Sequence, residues 1–243
     1  MSLTATPLTI GAEMPLTQEQ LDVIADRIAD LNPQQRTRRW SSISLCILDA
    51  VWSIGAHYDN VVTPLVVKFA RSQGVSSAVV PVDELPKDDP IPASSLARFT
   101  DDALLSLTNS QLTSTRGGVT KAHASIAYAQ VLVDSGVESL SDAIEALGDK
   151  ARLASIDAEL ARVPGDGQHG IRRGYLWMLV GDDNRIKPDR MILGWFRSLG
   201  VPSDPASAED YIRAAAPIVS ARLQRPVTPW EIDHAIWNYA RSS

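Results

Sequence analysis

The segment Val163-Pro164-Gly165-Asp166-Gly167-Gln168-His169-Gly170-Ile171, followed by Tyr175-Leu176-Trp177-Met178-Leu179-Val180 and then Lys187-Pro188-Asp189, decides how this chain is read. Two glycines one residue apart, with helical patterns on both sides, allow a tight hairpin whose backbone N–H groups converge on an anion. Asp189 lies 20 residues past His169. Pro188 fixes the entry to the next helix, whose dipole favours a negative charge at that end. A phosphate seat and a fixed carboxylate thereby fall within one site. The structural alternatives are a plain helix–helix turn for the glycines and an ordinary helix cap for Asp189.

Working outward, the rest of the chain is helical in pattern. Thr17-Gln18-Glu19-Gln20 is a capping box, and Leu21, Ile24, Ile28 and Leu31 recur at helical spacing until Asn32-Pro33. A second helix is expected from about Trp40-Ser41 through Trp52 to Gly55, and a third capped by Asp59-Asn60, with Pro64 in its first turn. Residues 76 to 92 carry four prolines and four acids, which predicts a long loop that is either functional or mobile. Helical patterns resume at Ser94 and recur through Asp134, Leu147, Val163, Phe196 and Leu223. Thr228-Pro229-Trp230-Glu231 is a second capping box, opening a helix with Trp230, Asp233, Trp237 and Arg241 along one stripe. Only Ala78-Val79-Val80 resembles a strand. The expected fold is all-α, with about ten or eleven helices.

Composition limits the function. With 243 residues, 44% of them hydrophobic, the chain can bury a sizeable core. No apolar run reaches the length of a membrane span, and residues 1–16 lack the basic start and apolar core of a signal peptide, so a cytoplasmic location without membrane contact is expected. Cys46, the one cysteine, sits among apolar neighbours and supports neither a disulfide framework nor a cysteine metal cluster. His57, His123, His169 and His234 show no ligand spacing, so no metal and no cofactor are expected. A formal charge of −6 argues against indiscriminate nucleic-acid binding. The basic residues are nevertheless clustered, at Arg36, Arg38 and Arg39, at Arg116 and Lys121, and around the hairpin at Arg172, Arg173, Arg185, Lys187, Arg190 and Arg197.

The proline-glycine-x-glycine hairpin, the apolar helix behind it and the aspartate beyond resemble the helix-hairpin-helix DNA glycosylases. Arg116-Gly117-Gly118 ahead of Lys121-Ala122 also resembles a lead-in common in that family. The resemblance implies a two-lobed glycosylase-like fold: a flexible start at residues 1–15, a helical barrel lobe over residues 40–181, and a second lobe combining residues 16–39 with 182–243. It implies Asp189 as the catalytic carboxylate, Gly165, Gly167, His169, Gly170, Arg172, Lys187 and Arg190 as DNA-backbone contacts, and His57, Tyr58, Trp52 and Trp177 as base-pocket or DNA-wedge residues. Some members carry an iron–sulfur cluster on four cysteines, which this chain cannot hold. In members with lyase activity a lysine occupies the hairpin position that is His169 here, so the resemblance implies a monofunctional enzyme that leaves an intact abasic site.

The expected partner is double-stranded DNA containing a damaged or modified base, met by a monomer in genome repair or in defence against phage DNA. Two other readings stay open: a non-catalytic DNA- or RNA-binding module on the same fold, and an unrelated helical interaction protein, to which the net acidity lends support.

Overall fold

A computed structural model describes residues 16–242 of the chain; the expected flexible start at residues 1–15 lies outside them. The fold is all-α. Twelve α-helices occur among the described residues: α1 Gln18–Asp30, α2 Ile43–Trp52, α3 Thr63–Ser72, α4 Ala93–Ala97, α5 Asp101–Leu107, α6 Lys121–Asp134, α7 Leu140–Gly148, α8 Lys150–Leu160, α9 Ile171–Val180, α10 Arg190–Ser198, α11 Pro205–Leu223 and α12 Pro229–Ser242. Both capping boxes form, Thr17 with Gln20 and Thr228 with Glu231.

The buried apolar side chains fall into two clusters. The first runs from Trp40 to Val180. The second joins Ile24, Ala25 and Ile28 of α1 to residues between Ile186 and Ile236. Helix α1 thus completes the core of the chain's last third. At the centre of the first cluster lies α2, in which all ten residues are buried. A helix that is apolar all round must be enclosed by others, and α2 is packed by α3, α4, α6 and α9.

Three local expectations are corrected. First, Trp40 does not open α2. It ends a short strand, β1 Arg38–Trp40, paired antiparallel with β2 Val79–Pro81 in the register Trp40↔Val79. Second, Asp59 does not cap the third helix. A π-helical turn, Tyr58–Val62, intervenes, and His57 accepts from the Asn60 N–H at 3.4 Å. Third, the acidic, proline-rich segment is free of helix as expected, but Asp89 makes it a structural clip. Asp89 Oδ2 accepts from the Ile43 N–H at 2.9 Å and the Leu140 N–H at 2.8 Å, while Oδ1 accepts from the Ile91 N–H at 3.0 Å. One carboxylate therefore satisfies the first amide of both α2 and α7, which otherwise lie unsatisfied at a helix start.

Replacing Asp89 with Ala removes two helix caps at once. At about 0.5–2 kcal/mol per cap, the expected loss is on the order of 1–4 kcal/mol in denaturant unfolding. Asp89→Asn, which keeps both acceptor directions in part, should lose less.

Candidate functional site

The hairpin is built from within. Gly165, Gly167 and Gly170 all have positive φ, as does His169 at 61°. A Cβ on Gly165 would lie 2.7 Å from Thr113 Cγ2, so this turn needs glycine for space as well as for conformation. Asp166 is buried, and its carboxylate accepts from the Tyr128 hydroxyl and from Arg173. Arg172 donates to the carbonyls of Gly165, Asp166 and Thr113, the last at 2.9 Å. Among the described residues, no backbone carbonyl accepts from the N–H groups of Gly165 or Gly167. Those amides remain open to an anion.

Beyond α9 the chain reaches Lys187-Pro188-Asp189. Asp189 is the N-cap of α10, its Oδ1 accepting from the Met191 N–H at 2.8 Å. Its Oδ2 lies 3.9 Å from Lys187 Nζ. Lys187 is buried, donates to Ser53 Oγ at 3.1 Å, and sits over the Tyr175 ring at 3.7 Å. Burial pulls its amine below the usual lysine range, opposed by the charges of Asp189, Asp49 and Asp233.

Asp189 opens onto a cavity of about 490 Å³ between the two clusters, with Ser53, His57 and Tyr58 on one side and Leu193, Trp237 and Arg241 on the other. A second cavity, of about 320 Å³, is lined by Arg36, Arg39, Trp40, Tyr175, Trp230, Asp233 and His234. Tyr58, Lys187 and Trp237 line both. Each is of the size that takes a small ligand. Tyr58 donates its hydroxyl to buried Asp49 at 2.8 Å and sets its ring edge-on to Trp237, 5.3 Å between centroids. Asp49 also accepts from Trp40 Nε1 at 2.8 Å, while its Oδ1 is buried with no hydrogen-bond partner. Burial raises its carboxyl above the usual range, against the hydrogen bonds and the Lys187 charge. Along α12 the rings of Trp230, His234 and Trp237 stack, closed at the two ends by the guanidinium groups of Arg36 and Arg241.

The structure gathers some expected site residues and removes others. Asp189, Lys187, Arg190, His57 and Tyr58 line the first cavity, and His169 and Gly170 line a neighbouring one. His57, His169 and Arg190 are exposed. Trp52 and Trp177 are not pocket residues: both are fully buried in the core, with their indole N–H groups on Asn109 and Asp157. Arg172 is not a phosphate contact, because its guanidinium is buried on hairpin carbonyls. Lys187 is not a surface cation: it is buried in the cleft floor, bonded to Ser53. Tyr58, tied to Asp49, is a wall of the cleft and not a projecting wedge. The sequence reading gave no role to Asp49, Ser53 or Asp166; Asp49 and Ser53 are each one polar side chain in an apolar stretch, a signal visible in the sequence, and Asp166 stands between the two hairpin glycines.

Arg172→Met strands three carbonyls. At about 1–3 kcal/mol for a buried group left unpaired, it should cost at least about 2 kcal/mol in thermal or denaturant unfolding. Arg190→Ala, at an exposed position, should change stability by less than about 0.5 kcal/mol.

No curated protein matches the chain. Among the described residues, no three His, Cys, Asp or Glu side chains form a group that could hold a metal ion, and no helix is long and apolar enough to cross a membrane. The family model described as a domain of unknown function, DUF8548, matches residues 19–241. That match takes in α1, the hairpin, Asp189 and nearly all of α12, so both clusters and the cleft between them belong to one family domain, and the chain is a member of the DUF8548 family.

Proposed function

We propose that this protein is a monofunctional DNA glycosylase: it extrudes a damaged or modified base from double-stranded DNA and hydrolyses its N-glycosidic bond. The observation that carries the reading is Asp189, a carboxylate fixed by helix capping at the mouth of a cleft, with Lys187 beside it and an anion-ready hairpin ahead of it. A base inside a duplex is out of reach, so the enzyme must first turn the nucleotide out. The hairpin amides and exposed Arg190 take the backbone phosphates. As the bond to the base breaks, positive charge grows on the sugar, and a preorganised carboxylate stabilises it and orients the attacking water.

Asp189 is suited to that task because capping leaves its second oxygen directed at the cleft side, towards Lys187. The ammonium partly compensates the carboxylate's charge, 3.9 Å away. Trp237 and Tyr58 supply aromatic walls for a base. The monofunctional assignment rests on His169 in the hairpin. Lys187 is the one lysine lining the two cavities among the described residues, and its amine is engaged by Ser53 and Tyr175. The role in the cell, repair or defence against phage DNA, follows from which base is released.

The test is incubation with duplexes carrying a panel of modified bases, followed by mild alkali to break abasic sites. Wild type should give alkali-dependent breaks, and Asp189→Asn should slow base release by about 10²–10³-fold with DNA affinity nearly unchanged. Binding that depends on the hairpin, without release of any base, would instead support a non-catalytic binding module. Borohydride should trap no adduct; an adduct lost in Lys187→Gln would convert the assignment to a lyase.

A further inference from the structure

Asp233 is a second carboxyl group in the cleft, contributed by α12, and the mechanism above does not use it. It is buried, lines the second cavity, and is anchored through Oδ1, which accepts from the Lys187 N–H at 3.0 Å. The same lysine reaches Asp189 through its side chain. Lys187 therefore separates two carboxyl groups, one at each cavity. Trp237, one turn along from Asp233, lines both cavities, as does Tyr58.

Breaking an N-glycosidic bond places charge at two ends: positive on the sugar and negative on the departing base. One carboxylate serves the first end. The second needs a proton donor within the cleft. We infer that Asp233 is that donor: the Oδ2 hydrogen passes to a ring nitrogen or carbonyl oxygen of the base as the bond breaks, while Asp189 faces the sugar. This inference rests on the glycosylase reading.

The step balances. The C1′–N bond breaks with its electron pair on the base, and the base takes the proton from Asp233. Water adds to C1′, and its proton leaves by way of Asp189 to solvent. Solvent then reprotonates Asp233.

The surroundings of Asp233 favour a protonated acid at neutral pH. Its carboxyl is pushed up to about 8, first by burial and then by the negative charge of Asp189, against the pull of the Lys187 N–H and ammonium. The other titratable groups near it are Tyr175 of α9 and, around the second cavity, Arg36, Arg38, Arg39, Tyr58 and its neighbour His234. Two carboxyl groups in one site whose environments differ divide into acid and anion, which is how one cleft runs both halves of such a reaction.

The experiment compares wild type, Asp233→Asn and Asp189→Asn on the DNA whose base wild type releases, as single-turnover rates against pH. Wild type should lose activity above about pH 8, tenfold per unit. Asp233→Asn should be slower by about 10²-fold and lack that limb, with DNA affinity and melting temperature close to wild type. A variant within threefold of wild type, or one that keeps the limb, overturns the assignment. Carbon-13 NMR of aspartate-labelled wild type, independent of turnover and of how well the variant folds, should show the Asp233 carboxyl titrating near 8; ionisation below pH 6 overturns it. Release of no base by wild type, with the NMR titration near 8 intact, removes the glycosylase reading itself and this role with it.

Discussion

Placing the Lys187 ammonium out of water is the constraint around which the cleft is arranged. An isolated buried cation is too costly to persist, so its surroundings must supply charge and hydrogen bonds. They come from both clusters. Ser53 follows α2, Tyr175 belongs to α9, Asp189 caps α10, and Asp233 on α12 takes the backbone N–H of the same residue. The lysine thus joins the central helix of one cluster to the last helix of the other. A second buried cation, Lys121, supports this arrangement from behind. Its Nζ donates to the carbonyls of Trp52 and Ile54 at 2.8 and 2.9 Å, closing the end of α2 just before the loop that carries His57 and Tyr58. Burial, followed by the positive charges of Arg172 and Lys187, lowers its amine to about 8.

The hairpin obeys a related rule. Its open amides depend on a turn that bonds itself together by other means. Asp166 draws Tyr128 and Arg173 inward, and Arg172 occupies the carbonyls. Carbonyls are satisfied from within, while among the described residues no backbone carbonyl takes the N–H groups of Gly165 and Gly167. An anion-binding loop needs that division, because a donor already used inside the fold has nothing left for a ligand.

Where local chemistry alone decides, the sequence was readable. The capping boxes at Thr17 and Thr228 and the Pro188-Asp189 helix start depend on residues within four positions of one another. The all-α class follows from periodicity. What was hidden depends on partners distant in the chain. Trp40 looked like a helix start because its strand partner, Val79, lies far downstream and the pair is only three residues long. Trp52 and Trp177 matched a pocket by residue type, and only packing around α2 and α9 shows that they are core. Asp89 looked like one of four acids in a long loop, yet its carboxylate serves amides at residues 43 and 140. Arg172 and Lys187 were grouped with surface cations because sequence gives charge without depth.

That last point changes how the net charge of −6 bears on the proposed function. Of the cations around the hairpin, Arg172 is spent on carbonyls, Arg173 on Asp166, Arg185 on Asp182 at 3.0 Å, and Lys187 on the cleft floor. Arg36 is likewise held by Asp183 at 3.0 Å and stacked on Trp230. Few charges remain on this face to neutralise phosphates, so counterion release can supply only a small part of any affinity for DNA. A glycosylase with this surface would not be held strongly on undamaged duplex. Its binding energy would have to come from the extruded nucleotide itself, seated between Asp189, Tyr58 and Trp237. On that reading the acidity of the chain contributes selectivity: weak hold on the backbone leaves recognition to the cleft, where only a base that can leave the stack gains the contacts.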